Sequence, residues 1–540
     1  MKFSVAAALH HEIEPSLQRI EVWSTRAIPS FRVVGLPGPE IIESCERVRA
    51  AIDSSGFEFP KQRILVNLSP AGIRKQGTGT DLAIALAILM PRTHSKLVAS
   101  GELGLDGSVR SSGKITRTCL AAVLDESTHL ILAHEDREAT ERALSLIHAV
   151  YPQHRHPQVW FVASLAEALD AAQSQAVSPD SPAAVSSPWG EPSPMLSNEL
   201  LMPATPLFRK LQACSLGSHS VLLLGPKGTG KTASLRWLSF LREPLSPHDL
   251  LEQLKVQELL PFEDSAGSQD SPVREISPHV RAEALIGGFH HGQIRPGELT
   301  LAHGGLLIAD EFLEWRRDAR EALRDPIESG RVILQRAQKR IALPARFTFA
   351  GTANLCPCGG VPPELQSELT QCRCSPRLRQ AYLERLSGPI LDRMDCVDWV
   401  MNAPGGSGRG AVPPSFLKET LETIIQGRAK LRSQWGELPG RTDANQVEQW
   451  IQACPRLSEL QAQWGTPEAS LRRRHREIRL AISLATLDQL PFPEPRHFLE
   501  ARPVALERLQ KQIRPTPIHF LAVSHPTPTV ESLTPLLPTP

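Results

Sequence analysis

The chain has 540 residues, too many for one ordinary core and enough for roughly three domains of ~100–200 residues each. Its 41% hydrophobic residues and 35 glycines are the make-up of a soluble globular protein, which excludes wholesale disorder and a fibrous repeat. Fifty-nine Lys and Arg against 58 Asp and Glu leave a net charge of +1, so a polyanion partner has to be held by local patches.

The first residues, MKFSVAAALHHEIEP, lack an apolar core and a cleavage site, and the longest apolar run, residues 82–90, is about half of a bilayer span. Neither a signal peptide nor a membrane segment is expected, and the expected location is the cytoplasm. Nine cysteines, four of them crowded together, fit reduced thiols better than a disulfide scaffold. Twelve of the 47 prolines fall in residues 171–194 and 506–540, so 171–195 reads as a Pro/Ser-rich linker and 506–540 as a Pro-rich tail. Three bodies remain. Residues 1–170 alternate strands, such as 20–23 and 63–68, with helices at 40–54 and 81–90, an α+β layer domain. In the first of these helices Ile41, Ile42, Cys45, Val48 and Ile52 carry the helical spacing. Residues 196–405 alternate strand and helix as a covered parallel sheet does, and 406–505 are helical throughout, giving an α/β chain overall.

Residues 222–224 are a short apolar strand, followed by Gly225, Pro226, Lys227, Gly228, Thr229, Gly230, Lys231 and Thr232 and a helix over 233–241. This is G-x-x-x-x-G-K-[ST] in the strand-to-helix setting that its chemistry requires. The glycines let backbone N–H groups turn inward around phosphates, and the helix N-terminus adds partial positive charge. Lys231 is expected to reach the β and γ phosphates of ATP and Thr232 to ligate Mg²⁺; an ordinary glycine-rich turn is the bland alternative. Downstream, apolar residues 305–309 end in Asp310, a carboxylate for the Mg²⁺ shell, and Glu311, placed to polarise the attacking water. The competing reading of this pair is a buried strand with a solvated acidic end. Residues 346–354 form a further strand ending in Asn354, which either orients the hydrolytic water or sits in an ordinary turn. Arg393, on a short turn with Asp392 and Asp395, reads from its neighbours more readily as an ion pair than as a catalytic group.

In this order the motifs resemble the AAA+ ATPases of the magnesium-chelatase-like group, specifically the bacterial YifB/ComM family. The resemblance covers residues 1–505 and rests on VGLPGPEIIESCERVRAAIDSSGFEFPKQRILVNLSPAGIRKQG, GPKGTGKT, LAHGGLLIADEFLE, ALRDPIESGRV, and ANLCPCGG followed by SGPILDRMD. It implies an AAA+ P-loop core and a C-terminal helical lid. It also implies that Asn354 is the sensor-1 residue and that Arg393 is an arginine finger for ATP held by a neighbouring subunit. Arg472, in the S-x-R-x-x-H-R stretch at 470–476, would be the sensor-2 arginine, with a plain basic helix face as the alternative. A finger acting in trans implies a ring, and similarity implies a hexamer. Residues 1–170 resemble a domain of ribosomal-S5/Lon-protease-like fold. There Gly79 aligns with the nucleophilic serine and Lys114 is out of register, so an accessory domain without peptidase activity is expected, with Ser112 and Lys114 as a minor alternative. The chain departs from the family pattern at Lys227 and Leu355, where proline is usual, and in lacking a Pro-His-His run after Arg274; these changes bear on substrate coupling more than on ATP chemistry.

Cys356, Cys358, Cys372 and Cys374 form two C-x-C arms separated by thirteen residues, a spacing that can close a structural Cys₄ zinc site; unligated thiols or redox pairs are the competing readings. Residues 330–344 read as a β-hairpin whose turn holds Arg336, Lys339 and Arg340, and residues 287–292 as a second candidate pore loop. Basic side chains on a hairpin lining a ring pore would track a phosphate backbone, whereas a solvated charged turn needs no ligand. The leading expectation is therefore an ATP-driven motor on branched or single-stranded DNA, in recombination or natural transformation. The alternatives are a protein- or cofactor-remodelling ATPase of the chelatase and MoxR kind, and an ATP-switched scaffold.

Overall fold

The computed structural model describes residues 5–9, 13–70, 75, 79–90, 96–174, 205–260, 271–290, 293–336, 339–361, 371–386, 388–400, 412–466 and 470–502. The proline-rich tail and most of the linker lie outside these residues. Ala171–Gln173, which composition assigns to the linker, instead close the helix Leu165–Gln173, whose Ala171 and Ala172 are buried. The apolar period of that helix simply runs on past the point where polar composition begins.

The N-terminal part is a seven-stranded mixed sheet in the order Ser30–Val34, Arg63–Ser69, Ser16–Thr25, Val5–Leu9, Leu97–Ser100, His129–Ala133, Gln158–Val162. Ile64, Val66 and Leu68 alternate with half-exposed neighbours along their strand, as a sheet with one buried face requires. The helix Asp81–Leu89 is apolar on every side and correspondingly enclosed, with Leu82 to Ile88 all buried. The helix Pro39–Ser54 presents Ile41, Ser44, Val48, Ala51 and Ile52 inward, while Ile42 is 59% exposed. The expected stripe through Ile42 and Cys45 is thus rotated, with Ser44 and Ala51 taking buried positions in its place.

The second sheet has five parallel strands in the order Val273–Ile276, Leu306–Ala309, Thr348–Ala353, Val221–Leu224, Cys396–Trp399. Val221 and Leu223 belong to the cluster on one face and Leu222 and Leu224 to the cluster on the other, so this strand is buried on both sides. The first strand in sequence lies between the fourth and the fifth, and that strand-order reversal places the loop after Leu224 at the carboxyl edge where ligands bind in open α/β sheets. Among the described residues five α-helices follow, from Pro414–Trp435 to Pro495–Ala501, and no helix is long and apolar enough to cross a membrane.

Two carboxylates join these parts, Asp395 buried and Glu258 with only 11% of its side chain exposed. Glu258, at the end of the helix Pro247–Gln257, accepts hydrogen bonds from the backbone N–H groups of Thr116 (2.6 Å) and Arg117 (3.1 Å) and from Arg117 Nε (3.2 Å). It therefore sits on the N-terminus of the helix Ile115–Leu124, and Leu245, Leu250 and Leu251 share a core cluster with Ile115 and Cys119. Asp395 accepts from Ser220 N–H (3.1 Å), Arg479 (2.7 Å) and Arg476 (3.1 Å), the two arginines coming from the helix Leu471–Leu487. Burial alone would raise the carboxyl of Asp395, but Arg479, Arg476 and His219 outweigh it and hold the group far below the usual carboxylate range. Because the folded-state value is depressed, its stabilisation is present above an unfolded pKa of about 3.9 and is lost as the pH falls below it. At pH 7, Asp395→Asn should destabilise the chain by about 3–5 kcal/mol, since two buried guanidiniums lose their counter-charge. Urea unfolding measures this, and a loss under about 1 kcal/mol would show that the carboxylate is dispensable.

Candidate functional site

The backbone of the phosphate loop is fixed at both ends. Gly225 N–H donates to Ala353 O (3.1 Å) on the neighbouring strand, and a Cβ at Gly225 would stand 2.3 Å from Val400 O, so only glycine passes between the two adjacent strands. At the other end Lys231 opens the helix Lys231–Phe240, with Gly230 in the left-handed region (φ +81°) as its N-cap. Helix formation starts two residues before the sequence suggests because the lysine and threonine of the motif occupy its first turn.

Lys231 is buried, and its Nζ donates to Gly225 O (3.0 Å), Pro226 O (2.7 Å) and Asn354 Oδ1 (3.0 Å). All three acceptors are uncharged, so an anionic phosphate oxygen would outcompete them. Burial lowers the ammonium pKa to about 8, a shift that Asp310 and Glu311 only partly offset. Thr232 Oγ1 donates to Asp310 Oδ1 (2.9 Å), and Thr352 Oγ1 donates to the same oxygen (2.6 Å). Glu311 N–H in turn donates to Thr352 Oγ1 (2.9 Å), and Trp315 Nε1 holds Asp310 O (3.1 Å). Glu311 itself has φ +46°, a conformation that a residue with a Cβ rarely adopts and that concentrates at functional sites.

The structure thus gathers Lys231, Thr232, Asp310, Glu311 and Asn354 at one edge of the parallel sheet. Thr352 is the member that sequence reading missed; the signal was a hydroxyl in an apolar strand two residues before Asn354. Arg393 and Arg472 join each other elsewhere. Arg393, largely buried, donates to Glu328 (2.6 Å) and Pro389 O (2.8 Å), and Arg472, 54% exposed, pairs with the other oxygen of Glu328 (3.2 Å). Glu328 lies in the ALRDPIESGRV block, yet nothing in its spacing marked it as the shared partner. Of the other arginines in that basic stretch, Arg473 pairs with Asp392 and Arg476 with Asp395.

The four cysteine sulfurs all lie within 4.8 Å of one another, with Cys356 and Cys372 buried. The Gly360 N–H holds the Cys358 thiol down to about 7, while burial pushes Cys356 up. In the N-terminal part Gly79 faces Ser112, whose Oγ lies 3.1 Å from Ser100 Oγ, and burial lowers the Lys114 ammonium. Of the candidate hairpin, strands Arg331–Arg336 and Lys339–Pro344 are paired with Arg336 opposite Lys339 and Arg340 opposite Gln335. These residues therefore belong to the ladder and not, as expected, to a turn, and residues 337–338 lie outside the described residues. The Arg336 guanidinium sits 6.0 Å from the Phe289 ring centre, bringing the two candidate pore segments together; residues 291–292 of the second lie outside the described residues.

Family models for the magnesium chelatase subunit ChlI match residues 206–406 and 20–136. The uncharacterized protein YifB of Escherichia coli K12 is 30% identical over 503 residues, covering 89% of this chain and 92% of its own. The chain belongs to the YifB/ComM family of magnesium-chelatase-like proteins. The competence protein ComM of Haemophilus influenzae is 30% identical over 496 residues, 88% of this chain and 92% of its own, and the uncharacterized protein Rv2897c of Mycobacterium tuberculosis is 31% identical over 458 residues, 82% and 84% respectively. The family is one of AAA+ ATPases and implies ATP and Mg²⁺ as ligands. The donor set fits: the Thr232 hydroxyl and the Asp310 carboxylate are hard oxygen ligands of the kind Mg²⁺ takes beside phosphates.

For this family member the buried ammonium predicts a pH dependence. Phosphate would raise the pKa of Lys231, so binding takes up a proton once the pH exceeds about 8. Nucleotide affinity measured with a fluorescent ADP analogue should fall by about tenfold per pH unit above that value. Lys231→Met should bind weakly throughout, and a flat profile for the unaltered chain would refute the assignment.

Proposed function

We propose that the chain is an ATP-hydrolysing ring motor that remodels branched or single-stranded DNA, as in branch migration during recombination or the uptake of transforming DNA. The observation that carries its ATPase half is the single cluster of Lys231, Asn354, Thr232, Asp310 and Glu311. In this reading the loop 225–232 cradles the phosphates, Lys231 neutralises the β and γ oxygens, and Thr232 and Asp310 hold Mg²⁺, which would draw charge off the leaving phosphate. Glu311 polarises the water and Asn354 orients it, while the Thr352 hydroxyl holds the Asp310 carboxylate and the backbone N–H of Glu311. Arg393, the arginine finger of this reading, contacts Glu328 and not the loop of its own chain, which suits a group that completes the site of the next subunit in a hexamer, and Arg472, its sensor-2 arginine, shares that partner.

The DNA half draws on the relative named competence protein ComM and on the exposed Arg336 and Arg340 near the hairpin tip. The same reading takes residues 1–173 as an accessory domain of S5/Lon-like type, the stretch from there to 195 as a linker, 196–405 as the motor, 406–505 as its lid and 506–540 as a tail, all in the cytoplasm. Cys356, Cys358, Cys372 and Cys374 would hold a structural Zn²⁺, their four sulfurs being mutually within 4.8 Å. A second reading, in which the ring pulls on polypeptide or remodels a cofactor complex, is favoured by Ile333, 49% exposed on the hairpin, and by its neighbour segment's Phe289.

ATP turnover with and without forked or four-way DNA decides between them, with Lys231→Ala as the blank. DNA should accelerate hydrolysis several-fold at low salt and progressively less as salt rises. DNA that neither binds nor stimulates would sink the motor reading, and stimulation by unfolded polypeptide alone would establish the second.

A further inference from the structure

We infer that the four-cysteine knot is a zinc-held brace beneath the phosphate loop, so that nucleotide affinity depends on a metal that never touches the nucleotide. This rests on the reading of residues 225–232 as the nucleotide site and extends it to a means of regulation. Three observations converge on the knot. Its sulfurs are mutually within 4.8 Å, and the Cys356–Cys372 separation is 2.9 Å; a tetrahedral site with Zn–S of about 2.3 Å has edges near 3.8 Å, so small shifts admit the ion. In each arm the sulfur accepts a backbone N–H from two residues on, Gly360 to Cys358 (3.4 Å) and Cys374 to Cys372 (3.3 Å), which supports thiolate charge. The arms are also joined by Cys372 N–H to Val361 O (2.8 Å).

The knot then reaches the loop at two points. Gly359, between the cysteine and glycine of the first arm, accepts Lys227 N–H on its carbonyl at 2.8 Å. It does so from the left-handed region (φ +74°), and a Cβ there would lie 2.8 Å from Lys227 Cβ. Only a glycine allows this close approach. Two residues before Cys356 stands Asn354, whose Oδ1 accepts Lys231 Nζ. The metal would therefore fix the backbone at the third residue of the loop and the partner of its lysine through one short segment. Four free thiols held together without metal have no comparable means of fixing that segment, since neutral thiols make only weak hydrogen bonds.

The full chain tests this. Elemental analysis should find about one zinc per chain, lost from Cys356→Ser/Cys374→Ser. Zinc removal by a strong chelator should speed amide hydrogen exchange across residues 225–232 and weaken binding of a fluorescent ADP analogue about threefold to tenfold, the range of one ordinary hydrogen bond, with both restored by added zinc. Gly359→Ala should keep its zinc yet show the same faster exchange. Absence of zinc overturns the metal site. Zinc whose removal leaves exchange over residues 225–232 unchanged overturns the brace. Because exchange is read without nucleotide, failure of the holoprotein to bind any nucleotide would count against the ATP-site reading alone.

Discussion

Asp395 lies where three parts of the chain have to agree. Its carboxylate holds the backbone entering the phosphate-loop strand through Ser220, and it anchors the helix Leu471–Leu487 through Arg476 and Arg479. Arg476 also donates to the carbonyl of Arg393, two residues upstream. One buried charge thereby sets the position of the central strand, the helical region and the segment that carries Arg393. A buried ion cluster is weak evidence for net stability, but it does impose a unique geometry, because any slip leaves a guanidinium without its counter-charge. The site at the sheet edge inherits its precision from that constraint.

The site itself shows which parts of a structure a sequence can disclose. The phosphate loop, Asp310 with Glu311, and Asn354 were legible because each lies at the end of an apolar strand, and three parallel neighbouring strands bring such ends to one edge. Thr352 was not, since its role comes from a hydrogen bond to Asp310 across the sheet and not from its own surroundings. The partners of the arginines were equally hidden. Four arginines in five positions diverge by about 100° per residue around a helix, and only the packed neighbours decide that 473 and 476 turn inward while 472 meets Glu328.

Composition likewise suggested an N-terminal unit set apart from the rest by a proline-rich connection. The packing is closer than that. Glu258 enters the N-terminus of the helix Ile115–Leu124, and leucines from both sides share one cluster, so strain on one unit reaches the other through buried contacts and not only through the covalent connection. Burial raises the pKa of Glu258 even though Arg117 opposes the shift, which marks this joint as polar, enclosed and sensitive to rearrangement.

Glu328 has one negative charge and two guanidiniums to satisfy. With Arg393 on one oxygen and Arg472 on the other, the trio carries a surplus of one positive charge at a surface where Arg472 and Glu328 are each about half exposed. Arg472, the more exposed of the two, could leave while the carboxylate keeps Arg393, so its release would strand no bare charge on Glu328. The trio is in effect a loaded counter-ion reservoir, set to hand over positive charge without first breaking an isolated pair.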